Sequence, residues 1–217
     1  MIISLAEEIA LIAYHDDGIA RGTRGMLDYG IGGALVAELL LTERITVPEK
    51  KTVVSDASPT GSAVLDEALL LIAAKDGKRQ PHEWIYTLGR KLRPRVLDSL
   101  VEAGILQRQQ EKVLLVVPVT RYPTPDGAEP AAETDVRQRL IAAVTGDGPV
   151  DPRTASLCLL IKTLGWEKMV FADLGTPRKQ VKSRLTEISE AAWAPEPVRR
   201  TFDDLYRYLV VAAAGGA

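Results

Sequence analysis

A mainly α-helical single domain with one or two small β-hairpins is the fold class this sequence predicts, on three observations. Apolar residues recur at helical spacing through most of the 217 residues. Most of these runs open on a polar cap or a proline. Two stretches break the pattern, ERITV-PEK-KTVVS and ILQRQQEKVLLVVPV, and each reads as a strand pair around a turn. No low-complexity run divides the chain, and its length suffices for one substantial core.

Ser4 and Glu7 form an S-x-x-E capping box, after which Leu5, Ile9, Ile12 and Ala13 continue an apolar face until His15, Asp16, Asp17 and Gly18 stop it. A second helix is expected to start at the glycine-rich stretch Gly30, Gly32 and Gly33 and to run through ALVAELLL. The first hairpin follows, then a third helix in SPTGSAVLDEALLLIAA and a short fourth from Pro81 to Leu88. Pro94 has no N–H and suits a first helical position, so a separate fifth helix is expected with Arg93 at its cap and Gly104 at its end. Two short helices followed by the apolar hairpin at 104–117 is the order found in winged-helix modules. Beyond TRYPTPDGAEP, helices are expected at 132–144, 152–164, 177–191 and 197–213.

The formal charge of −2 conceals an asymmetry. Lys78 to Arg95 holds six basic residues against Glu83 alone, so this window carries +5 and the remainder −7. A localised anionic partner fits that segregation better than general coating of nucleic acid does. Placed at a helix start, Arg90, Lys91, Arg93 and Arg95 oppose the dipole at a cost of about a few tenths of a kcal/mol each unless an anion lies opposite. Two readings stand: an anion site, or a solvated cationic face beside Asp98 and Glu102.

Much chemistry lacks its parts. His15, His82 and Cys158 are too few for a zinc cluster or a Cys/His nucleophile, no G-x-S-x-G elbow exists, and no cofactor is expected. Gly30-Ile31-Gly32-Gly33 has part of a dinucleotide loop but no preceding strand, and close packing at a helix start is its other reading. No apolar run approaches the roughly 18 residues of a spanning helix, and MIISLAEEIALI has acids where a signal peptide has a basic flank. A cytoplasmic protein, or one peripheral on a membrane, is expected.

Several segments together resemble the Golgi phosphoprotein three family of phosphoinositide-binding proteins. DASPTGSAVLDEAL at 56–69 is similar to the family's D-A-P-T-G-x-x-L-L-D-E-A-L, and LDYGIGGALVAELLLTERI, LRPRVLDSLVEAGIL with its hairpin ending TRYP, and DPRTASLCLLI follow the family's order. The resemblance implies a helical, non-catalytic domain on the cytosolic face of a membrane that recognises phosphatidylinositol 4-phosphate and carries client protein tails. It implies headgroup contacts from Arg90 and Arg93, counting back from LVEAGIL. The eukaryotic pocket also uses a tryptophan and an arginine, and counting from Gly30 those positions are Thr23 and Gly32 here.

The resulting expectation is a peripheral protein that binds an anionic phospholipid or phosphoinositide headgroup through Arg90, Arg93 and Arg24, with Lys91 adding attraction, Thr23 at the pocket edge and the N–H of Gly32 facing the phosphate. The 104–117 hairpin is read as core, as shallow insertion or as a homo-oligomer contact. Two competing classes are a winged-helix nucleic-acid binder, disfavoured by the acidic remainder, and a protein adaptor without a lipid ligand.

Overall fold

A computed structural model describes residues 3–113, 117–191, 199–200, 203–204 and 207–208. Its helices are Leu5–Ala13 (α1), Arg24–Leu41 (α2), Ala63–Ala73 (α3), Pro81–Glu102 (α4), Ala131–Thr145 (α5), Pro152–Leu164 (α6), Glu167–Phe171 (α7) and Arg178–Glu190 (α8). Two antiparallel pairs, Ile45–Thr46 (β1) with Val53–Val54 (β2) and Gln109–Val113 (β3) with Val117–Arg121 (β4), complete one mainly helical domain.

The core forms around α2, which is buried on nearly every side from Leu27 to Leu40 and packs against α1, α3, α4 and α6. Its glycines make that crowding possible. Gly30 lies against Ile9 and Leu164, Gly33 against Leu160, and a Cβ on Gly32 would overlap the Ile85 carbonyl of α4. Gly89 answers from α4, where a Cβ would overlap the Asp28 carbonyl. The glycine run is therefore the middle of a helix and not its start: α2 begins at Arg24, capped by Thr23, whose hydroxyl accepts the Met26 N–H at 3.4 Å.

The expected break at Pro94 is also corrected. α4 runs unbroken for 22 residues with Pro94 inside it. Ile85, Leu88, Leu92, Val96 and Leu100 keep one buried phase across the proline, while Pro94 itself is exposed. The carbonyl that loses its partner belongs to Arg90, also exposed, where water can serve it. The winged-helix order dissolves, because its two short helices are one.

A buried ionic clasp joins the N-terminal and C-terminal halves. Glu8 of α1 accepts from Arg139 of α5 at 2.7 Å and from Arg153 of α6 at 3.3 Å. Arg153 also donates to Glu38 of α2 at 2.7 Å, and the other Glu38 oxygen accepts the Leu5 N–H at 2.7 Å. The capping box forms as read, and Glu7 additionally accepts the Ser99 hydroxyl at 2.6 Å. In the D-A-S-P-T-G stretch Asp56 binds Arg44 and Ser58, and Thr60 binds Asp66. That motif acts as a staple that seats α3. Cys158 is fully buried, and burial pushes its thiol up to about 12. The apex of the apolar hairpin lies outside the described residues, as does most of the helix expected at 197–213.

Candidate anion-binding groove

The backbone brings three distant segments to one groove of about 710 Å³. The loop between α1 and α2 supplies Gly18, Ile19 and Gly22, the first turn of α2 supplies Arg24, α4 supplies Arg93 and Pro94, and β4 supplies Arg121. The loop is pinned from both sides. Gly18, at φ +80°, presses on the Tyr122 backbone where a side chain would not fit, and its carbonyl accepts the Tyr122 N–H at 3.2 Å. Asp16 O accepts the Thr124 N–H at 3.0 Å, and Tyr14 meets Tyr122 edge-on with ring centroids 5.9 Å apart.

Arginine dominates the lining. Arg24, Arg93 and Arg121 face the groove, and among the described residues no carboxylate lines it. Two acids pair with these arginines from outside the lining: Glu111 with Arg121 at 3.0 Å, and Asp28, one turn along α2 from Arg24, whose buried carboxylate accepts from Arg93 at 2.8 Å. Burial pushes the Asp28 carboxyl above the ordinary aspartate range, and Arg93, Arg24 and Arg90, in that order, pull it partly back. Burial likewise raises the Tyr14 phenol against the pull of Arg93 and Arg24. Three guanidinium groups thus act on one buried carboxylate, leaving the site cationic.

The residues singled out from the sequence separate into different roles. Arg24 is exposed and lines the groove, Arg90 is exposed but lies outside the lining, and Thr23, next to Arg24, caps α2. Arg93 is 7% exposed and held by Asp28, so it underlies the site instead of projecting from a helix cap. Gly32 is buried against α4 inside α2, so its expected phosphate-facing N–H is corrected to a helix-packing contact. The basic window is dispersed as well: Arg79 lies over the Trp84 ring at 5.1 Å, Arg95 pairs with Glu102 at 3.0 Å, and Lys91 is exposed.

Sequence reasoning missed Arg121 and Tyr14. Arg121 stands in the TRYP ending already noted, and across the strand pair its Nε meets Glu111 at 3.0 Å. Its proximity to Arg24 depends on how the loop folds back on β4, which no local spacing encodes.

Among the described residues, no grouping of His, Cys, Asp and Glu could hold a metal ion, and no helix is long and apolar enough to cross a membrane. The model of the Golgi phosphoprotein 3 (GPP34) family matches residues 5–205, nearly the whole chain and every element of the groove. The chain belongs to the Golgi phosphoprotein 3 family. A relative within reach of pairwise comparison is the Vacuolar protein sorting-associated protein 74 of Eremothecium gossypii, 25% identical over 167 residues. That match covers 65% of this chain and 49% of the relative, so the chain spans about half the length of the curated protein it matches. Family membership accounts for the order of the motifs along the chain.

Proposed function

We propose that this member of the Golgi phosphoprotein 3 family is a non-catalytic, peripheral membrane protein that docks an anionic phospholipid headgroup in the arginine groove. A phosphomonoester headgroup of the phosphatidylinositol 4-phosphate type fits it best. The observation that carries this reading is a groove lined by three arginines from three separate segments with no carboxylate among the described residues of its wall. A guanidinium is a planar fork suited to phosphate oxygens, and each basic side chain near an anionic surface contributes about 1 kcal/mol. A phosphomonoester offers more charge and more acceptor oxygens than a diester does, so the groove favours it. Family membership supports the same class of ligand, with client protein tails as further partners and the cytosolic membrane face as its location.

Sedimentation with vesicles tests the reading. Native protein is expected to pellet with vesicles containing phosphatidylinositol 4-phosphate, less with phosphatidylserine at matched charge, and not with phosphatidylcholine alone. Arg24→Ala combined with Arg121→Ala is expected to lower binding at least about tenfold while the helical circular dichroism is kept, because both residues are partly or fully exposed. Unchanged binding by the folded double variant would remove the groove as the site.

A further inference from the structure

Among the described residues, four large apolar or aromatic side chains are more than a third exposed: Ile19 at 43%, Leu70 at 71%, Tyr86 at 42% and Ile141 at 37%. Scattered exposed hydrophobic residues need no explanation. The placement of two of them does. Ile19 lines the groove itself, together with Pro94. Tyr86, Arg90 and Pro94 follow one another at intervals of four on α4, so they share a face and Tyr86 stands roughly 12 Å along the helix from the groove wall. Tyr86 is propped there by Tyr29 of α2, ring centroids 5.5 Å apart, and one turn earlier His82 stacks on Tyr208 at 4.5 Å. Along α4 an aromatic shelf and Arg90 therefore lead to the arginine groove, whose lining includes the exposed Ile19.

We propose that Ile19 and Tyr86 are interfacial anchors, one in the groove and one beside it, that fix its orientation on an anionic bilayer. The inference rests on the reading of the groove as a headgroup site and adds two residues that charge alone would not select. A tyrosine ring is at home at headgroup level, its apolar body toward the acyl boundary and its hydroxyl in water. An isoleucine in the groove lining adds apolar area that enters the interface as the headgroup seats. Arginine attraction acts within a Debye length and weakens with salt, whereas burial of apolar surface does not. The anchors are therefore the salt-resistant part of binding. Leu70 on α3 and Ile141 on α5 line no part of the groove and serve as matched controls.

Flotation with phosphatidylcholine vesicles containing phosphatidylglycerol, across a salt series, separates the contributions. Ile19→Ser and Tyr86→Ser are each expected to lower partitioning about fivefold at every salt concentration, leaving the salt slope of the native protein. Arg24→Ala is expected to flatten that slope, and Leu70→Ser to change neither quantity. Tyr86→Trp keeps an amphipathic ring, so it is expected to restore or raise binding. Its added fluorescence is expected to be quenched by lipids brominated near the headgroup end of the chain. Native protein that binds while Ile19→Ser and Tyr86→Ser match it, or while Leu70→Ser weakens it equally, would overturn the anchors and leave the groove standing. Failure of the native protein to bind these vesicles at any salt would overturn both.

Discussion

Removing Arg93 leaves the Asp28 carboxylate buried without its cation, so Arg93→Ala is expected to cost about 3–5 kcal/mol of stability, read as a lowered denaturation midpoint. Arg24→Ala, at an exposed position, is expected to stay within about 0.5 kcal/mol of the native protein. Loss of lipid binding in an Arg93 variant would therefore report unfolding, which makes Arg24, Arg90 and Arg121 the informative positions. In the sequence Arg90 and Arg93 look alike, because burial depends on Asp28, 65 residues away in the chain. Asp28 also gives the groove a pH dependence. Its raised carboxyl takes up a proton at a higher pH in the folded chain than in the unfolded one. Its contribution to stability is thus gained as pH falls through the folded value and lost as pH rises through it. The same proton removes the negative charge that pairs with Arg93. Vesicles of phosphatidylglycerol, whose phosphodiester keeps its charge, are expected to retain more native protein as pH falls through the raised folded value of Asp28 than at neutral pH. Asp28→Asn keeps an oxygen acceptor for Arg93 and is expected to bind at neutral pH as the native chain does once Asp28 is protonated. An unchanged pH profile in that variant would rule out Asp28 as the source of the effect.

At the scale of elements, the contact between α2 and α4 sets the site, since it places Arg24 and Asp28 opposite Arg90 and Arg93. Alanine in place of a helix-interior glycine ordinarily gains about 1 kcal/mol. At Gly32 the new methyl would meet the Ile85 backbone, which cannot swing aside as a side chain can. Gly32→Ala is therefore expected to destabilise by about 2–3 kcal/mol in chemical denaturation, reversing the helix-propensity sign. Arginine at this position would have to separate the two helices. The helices with caps were legible in the sequence: α1 from Ser4 and Glu7, α6 from Asp151 and Pro152. The start of α2 and the continuity of α4 were not. Glycine and proline carry strong local signals for ends, and here tertiary packing overrode both. The evidence for continuity was the apolar phase from Ile85 to Leu100, which Pro94 does not disturb.

Across the whole molecule, the clasp of Glu8, Glu38, Arg139 and Arg153 ties α1 and α2 to α5 and α6. Burial pushes the Glu8 carboxyl up while Arg153 and Arg139 hold it back. Arg153→Ala would leave Glu38 without its cation and Glu8 with Arg139 alone, and is expected to cost about 3 kcal/mol or more, with loss of cooperativity between near-ultraviolet and far-ultraviolet melting curves. The family's segment order and the fold class were legible from composition, caps and motifs. The groove was legible only in part, as the TRYP arginine and the Arg24 region lie almost a hundred residues apart and meet through loop closure. Amide chemical shifts followed during titration with inositol 1,4-bisphosphate test the central claim most directly, because they locate the ligand as well as detect it. The expected result is saturable movement confined to residues 18–24, the Arg90–Arg93 turn and residues 119–122, abolished by Arg24→Ala with Arg121→Ala. Saturable movement elsewhere, or none at all while vesicle binding persists, would contradict the groove as the headgroup site.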